Sequence, residues 1–118
     1  MAFELIVQGD VNVICVDWEN GANLPNYVRA AVNTRLVGRQ VALLINTLNE
    51  LTGSQNSDFH LIGFSLGAHV AGFAGAELFN LSRITGTVAR HLVTNFYTRT
   101  RYLAINLRTM HGIIALIK

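Results

Sequence analysis

The sequence predicts an α/β fold in which parallel strands are joined by crossover helices and the sheet is incomplete. Three observations predict it. Residues 11–16 are an almost wholly apolar, β-branched run. Residues 23–51 carry apolar side chains at helical spacing. A second apolar run, residues 59–64, passes through Gly63-Phe64-Ser65-Leu66-Gly67 into a helix-compatible stretch, residues 68–79. Strand, helix, strand, helix in that order implies a right-handed parallel crossover.

A chain of 118 residues fits one domain at most, long enough for a core but short for a complete α/β enzyme. A hydrophobic content of 51% excludes disordered and collagen-like classes. The net charge of +2 hides a polarity along the chain. Residues 1–82 hold seven acids and three arginines, and residues 83–118 hold five arginines, one lysine and no acid. Arg90, Arg99, Arg101 and Arg108 are spaced apart with few aromatics among them, so nucleic acid is not an expected partner.

Residues 2–8 are short and apolar, and Gln8-Gly9-Asp10 reads as a turn. The run 11–16 suits a strand buried on both faces, which would make the lone Cys15 a buried free thiol. Asp17 ends that run, at the position where site residues gather in open α/β sheets, but the expectation here is a loop carboxylate capping nearby amides. In the helix over 23–51, Pro25 sits near the start, where its missing N–H costs nothing. Tyr27, Ala30, Ala31, Val37, Val41, Leu44, Leu48 and Leu51 form the expected apolar face against a sheet, with Gly38 a mild blemish. Gly53 reads as the helix stop. Ala68, Ala71, Gly72, Gly75 and Ala76 predict tight packing of the next helix, and Arg83-Ile84-Thr85-Gly86 can begin another strand. The N-terminus has no basic region followed by a long apolar one, so no secretory signal is read there, and no run reaches membrane-spanning length.

The chemistry concentrates at Ser65. In Gly-x-Ser-x-Gly between a strand and a helix, the serine sits on a tight turn that projects its hydroxyl above the sheet edge, a nucleophile elbow. Gly63 and Gly67 let strand and helix approach closely. The amide of Leu66 would then face the oxyanion formed when Ser65 attacks a carbonyl. The plainer alternative is a Gly/Ser turn without chemistry. Of the histidines, His69 lies four residues into a helix running away from the hydroxyl and reads as structural. His60 reads as a core-edge or solvated residue. His91 and His111 fall in a stretch with no recognisable pattern. The scattered histidines and single cysteine offer no metal-ligand spacing.

Three blocks together resemble the animal lipase family that includes pancreatic and lipoprotein lipases and phospholipases A1. They are Asn12-Val13-Ile14-Cys15-Val16-Asp17-Trp18; then Tyr27, Ala30, Asn33, Arg35, Val37 and Gly38; then residues 61–72, with Arg83-Ile84-Thr85-Gly86 after them. The resemblance covers about residues 3 to 86. It implies a partial α/β-hydrolase fold over residues 1–86, followed by an unmatched basic and apolar tail, 87–118. It also implies hydrolysis of glycerolipid esters at a lipid–water interface, without a cofactor, in a secreted protein. Ser65 would be the nucleophile and Leu66 one oxyanion amide, with a histidine as base and an aspartate to orient it.

The chain departs from the family pattern at several points. The family residue before the serine is His, and here it is Phe64. After Arg-Ile-Thr-Gly the family continues Leu-Asp-Pro-Ala, whereas this chain continues Thr87-Val88-Ala89-Arg90, which puts Val88 in the place of the triad aspartate. The family's histidine would lie beyond residue 118, and the second oxyanion amide on a His-Gly loop before residue 1. The triad Asp and His are therefore expected to be absent, and this fragment inactive or nearly so alone. The family strand order also puts a lost strand between the two identified here, leaving a gap in the sheet. A splice or gene-model error, or a pseudogene-like truncation, is the expected origin of the tail, to be tested by transcript sequence across the Gly86 codon. The rival functions are a non-catalytic lipid- or protein-binding relative, like the yolk proteins of this fold, and a basic membrane-associated peptide defined by the tail.

Overall fold

A computed structural model describes residues 10–22, 26–87 and 112–117, with only the backbone described for Thr87 and 112–117. The elements are β1 (Asn12–Asp17), α1 (Tyr27–Thr52), β2 (Phe59–Phe64), α2 (Leu66–Glu77), β3 (Arg83–Thr87) and β4 (Gly112–Ile117). Single 3₁₀ turns at Glu19–Gly21 and Asn56–Asp58 complete them. The α/β class is as expected.

The four strands form one sheet in the order β1-β4-β2-β3. β2 and β3 pair in parallel, from His60 opposite Arg83 to Phe64 opposite Thr87. β4 runs antiparallel to both β1 and β2. β1 and β2 therefore share a direction, as a β-α-β crossover requires, but they are not neighbours. The expected gap is occupied by β4.

α1 starts at Tyr27, later than its periodicity suggests. Asn26 is the cap: its side-chain oxygen accepts the Arg29 amide at 3.1 Å. Pro25, expected near the start, lies outside the described residues. Gly53 ends the helix in the left-handed region, φ 75°, with its N–H bonded to the Asn49 carbonyl at 3.0 Å. Beyond it, Asn56 ties three segments together. It accepts from the Asn49 side-chain amide at 2.7 Å and donates to the Phe79 carbonyl at 2.8 Å.

The buried face of α1 differs from the expected one. Ala30 and Val41 are buried as anticipated, but so are Thr34, Gly38, Ala42 and Ile45, whereas Tyr27, Leu44 and Leu51 are exposed. The reason is the partner. α1 packs chiefly against α2 rather than on the sheet, so its contact stripe is the one with small residues. Gly38 sits at the closest approach, where an added Cβ would lie 2.6 Å from the Phe73 Cβ and 2.9 Å from the Val70 carbonyl oxygen. What reads as a blemish in the helix is its point of contact.

The core lies between the helices and one face of the sheet. It joins Ala30, Val41 and Ile45 of α1 to Val70, Ala71 and Ala74 of α2, Phe59 and Leu61 of β2, and Trp18. Ile14 and Val16 of β1 pack partly against it. Cys15 and Asn12 are exposed, which corrects the expectation of a strand buried on both faces and of a buried thiol. Strand side chains alternate between faces, and the described helices cover the face that Ile14 and Val16 share, not the one that holds Cys15. Trp18 is 7% exposed, and its indole N–H has no partner among the described residues. Among the described residues, no helix is long and apolar enough to cross a membrane.

Candidate active site

β2 and α2 meet at Ser65, the N-cap of α2. Its backbone is at φ 53°, ψ −119°, one of two non-glycine residues with positive φ among those described. Such a conformation costs on the order of 1–3 kcal/mol and persists only where the surroundings enforce it. A serine at an N-cap ordinarily turns its oxygen back onto the first helical amides. Here the side chain makes no cap hydrogen bond. The local backbone stores strain, and the hydroxyl is not spent on the helix.

Glycine makes the turn possible. A Cβ on Gly63 would overlap the Gly67 carbonyl group and come within 2.6 Å of the Ala68 nitrogen. The last turn of the strand and the first turn of the helix thus touch backbone to backbone. The Ala68 N–H bonds to the Ser65 carbonyl at 3.0 Å, closing the turn. From the other side β3 presses in: a Cβ on Gly86 would lie 3.1 Å from that of Ala68. Gly75 similarly lies against the Ile84 side chain, so the tight packing expected of this helix is found at Gly75, though Gly72 faces open space and Ala76 is exposed. Leu66 is buried and is the first residue of α2. Its amide has no intrahelical acceptor, and the positive end of the helix macrodipole lies there.

Potential catalytic partners are placed as follows. His60 sits at the start of β2, five residues from Ser65, which is roughly 16 Å along an extended strand. Its Nε2 is hydrogen-bonded to the Thr85 hydroxyl at 2.8 Å. Burial, and secondarily the Arg83 charge, lower its pKa to about 4, so it is a neutral, core-edge residue near pH 7. His69 is half-buried on α2, one turn from Ser65. Among the described residues, no histidine or carboxylate is hydrogen-bonded to Ser65. Asp17 accepts the Glu19 amide at 3.0 Å, the capping role expected of it. Val88, His91 and His111 lie outside the described residues. Phe64, half-buried, takes no part in the turn's hydrogen bonds.

Two features of the site were not read from the sequence. Trp18 follows Asp17 at the Ser65 end of the sheet and packs on Gly21, whose added Cβ would meet the indole at 3.3 Å. The Asn33 side-chain amide donates to the Gly21 carbonyl at 2.8 Å, holding that loop against α1. Buried indole packing at a strand end has no local periodic signal, so only the residue types, a tryptophan followed by a turn glycine, could have pointed to it. An open groove of about 720 Å³ lined by Asn12, Ile14, Leu48, Gly53 and Asp58 lies at the other end of the strands, away from Ser65. No group of three or more His, Cys, Asp or Glu among the described residues is arranged to hold a metal ion.

Known proteins share much of this sequence. The chain is 49% identical over 77 residues to mouse pancreatic triacylglycerol lipase, covering 64% of this chain and 16% of that protein. It is 49% identical over 86 residues to human inactive pancreatic lipase-related protein 1, covering 73% and 18%. The coypu pancreatic triacylglycerol lipase is 44% identical over 87 residues, covering 73% and 19%. The chain thus spans less than a fifth of the curated relatives it matches. The family model described as Lipase matches residues 1–100, extending beyond Gly86, where the motifs end. By that match and these identities, the chain belongs to the lipase family.

Proposed function

We propose that this chain carries the nucleophile elbow of a serine carboxylic-ester hydrolase acting on glycerolipid esters, of the triacylglycerol lipase or phospholipase A1 kind, and that it is inactive or nearly so by itself. The observation that carries this reading is the backbone of Ser65, held at positive φ over the Gly63–Gly67 contact without capping the helix behind it. A serine placed only to end a strand would relax and cap.

In this reading the Ser65 hydroxyl attacks the ester carbonyl, and the Leu66 amide donates to the oxyanion that forms. The proton on Ser65 needs a base, and no described histidine reaches it. The family acid position holds Val88, which can neither accept an imidazole N–H nor carry charge. In this reading residues 1–86 are the partial hydrolase domain and residues 87–118 a basic and apolar tail. Substrate would be met at a lipid–water interface, and the family resemblance argues for a secreted protein.

One observation favours a second reading, a non-catalytic member of the family. A relative 49% identical to this chain is named inactive pancreatic lipase-related protein 1. Retention of Ser65 argues for the first reading, and the valine at position 88 argues for loss of turnover within it. A p-nitrophenyl ester assay on the purified full chain tests the proposal. Turnover close to the uncatalysed rate, unchanged by Ser65→Ala, is expected. Robust turnover abolished by Ser65→Ala would overturn the inactive assignment, and robust turnover surviving it would remove Ser65 from the mechanism.

A further inference from the structure

We propose that Asn80 is an N-glycosylation site, its side-chain amide taking an oligosaccharide when the chain passes through a secretory compartment. The proposal rests on the reading of a secreted protein given above, and not on whether Ser65 is catalytic.

The sequence supplies the acceptor pattern. Asn80-Leu81-Ser82 is an asparagine followed two positions on by a hydroxyl residue, with no proline between. No other asparagine of the chain meets that condition. Three residues match easily by chance, so the place of the pattern in the fold decides. It falls in the short connection between α2, which ends at Glu77, and β3, which starts at Arg83. Asn80 has φ 61°, in the left-handed region that asparagine enters more readily than most side chains.

The turn presents the acceptor outward. Leu81 packs against the core and anchors the middle of the pattern. Asn80 and Ser82, on either side of it, are exposed. Asn56 holds the turn by its backbone: its side chain donates to the Phe79 carbonyl at 2.8 Å, and its carbonyl accepts the Ser82 amide at 3.4 Å. These bonds leave the side chains of Asn80 and Ser82 without a partner among the described residues. Attachment at Asn80 therefore breaks no contact that the fold uses.

The position also admits a bulky group. The twelve residues of α2 separate the turn from Ser65 by roughly 18 Å. β3 begins opposite His60, at the end of β2 remote from Ser65. A glycan there leaves the elbow uncovered. It would also screen the adjacent Phe79, which is 91% exposed.

In the transfer, the Asn80 amide nitrogen bonds to the anomeric carbon of an oligosaccharide carried on a lipid diphosphate. The bond from that carbon to the diphosphate oxygen breaks. The lipid diphosphate leaves with the electron pair, and the amide nitrogen gives up one proton. Nothing is oxidised or reduced.

The experiment is translation of the full chain with microsomes, behind a cleavable secretory leader and with a second acceptor sequon appended at its C-terminus. Expected are two glycans, both removed by peptide N-glycosidase. Asn80→Gln and Ser82→Ala should each lose one, and Ser82→Thr should keep both. Modification of the appended sequon alone in the unaltered chain would overturn the proposal, since delivery is then proven and Asn80 refused. Two glycans persisting in both Asn80→Gln and Ser82→Ala would overturn it as well. Because the leader is supplied, these outcomes do not depend on the secreted reading. That reading is tested by whether antibodies to the chain find the native protein outside the cell or in its cytoplasm, and the second result would overturn it.

Discussion

The two halves of the sheet are held by opposite means. On one side β2, the Ser65 turn, α2 and β3 follow one another within residues 59–87 and lock closely, backbone to backbone at Gly63 and against the Ile84 side chain and the Ala68 Cβ at Gly75 and Gly86. On the other, among the described residues β1 is attached to the sheet only through β4, a segment nearly a hundred residues away along the sequence. The first half is specified by steric fit at short range. The second depends on a long loop closure, whose entropy is repaid only when the last strand docks. Local fit makes the elbow stiff, and distant pairing makes β1 the part of the sheet most easily released.

The largest expected effect tests the stiff half. Gly63→Ala would place a methyl in the Gly67 carbonyl group, where only backbone could move, and should lower unfolding stability by roughly 3 kcal/mol. Chemical denaturation measures it. A loss under about 1 kcal/mol would mean that the strand–helix contact at Gly63 has room to relax. The next effect tests the other half. Ala115→Pro removes a ladder donor in a strand paired on both sides, and should cost about 2 kcal/mol. Hydrogen exchange should show protection lost in β1 before it is lost in β2 and β3. Simultaneous loss across all strands would show that the halves unfold as one unit and erase the contrast.

A smaller effect is pH-dependent and belongs to the stiff half alone. The folded-state pKa of His60 lies near 4, below its ordinary value of 6.5. The unfolded chain therefore binds the extra proton first, so the contribution of His60 is fully present above about pH 6.5 and is lost as pH falls toward 4. His60→Gln should flatten that part of the stability–pH curve, as read by thermal melts across pH 4–7. An unchanged slope would assign the dependence to other groups. The smallest effect concerns the outer face of α1, where Val28, Val32, Leu36 and Leu43 are 59–74% exposed. Val32→Lys with Leu36→Glu should leave stability within about 0.5 kcal/mol and lower self-association in sedimentation.

Legibility in the sequence follows the same division. The bounds of β2, the turn at Ser65, the glycine stop at Gly53 and the start of β3 could be read residue by residue, since each depends on near neighbours in the chain. The buried stripe of α1 is not legible because periodicity shows that a helix has an apolar face but not which neighbour it meets. Small residues at Ala30, Thr34, Gly38 and Ala42 suit a helix partner better than large ones at Leu44 and Leu51. The exposure of Cys15 is hidden for a related reason: an apolar run announces a strand, but the burial of each face is decided by what lies over it. For the candidate site, Ser65 and the Leu66 amide, the proposed nucleophile and oxyanion donor, are visible as a motif. The loop held by Trp18, Gly21 and Asn33 is not, because its contacts join residues from separate elements.

The sequence by itself determined the turn: Gly63 and Gly67 flank Ser65 between an apolar run and a helix-compatible stretch, which places that serine on the bend. It also determined the family and the valine at position 88. Only the tertiary structure decided that the final apolar run enters the middle of the sheet, and that it enters antiparallel. Steric exclusion acts between residues adjacent in the chain and is written in their identities. Strand pairing is made by backbone groups that every residue carries, so the choice of partner emerges only when the folded chain leaves one slot open and one segment able to reach it.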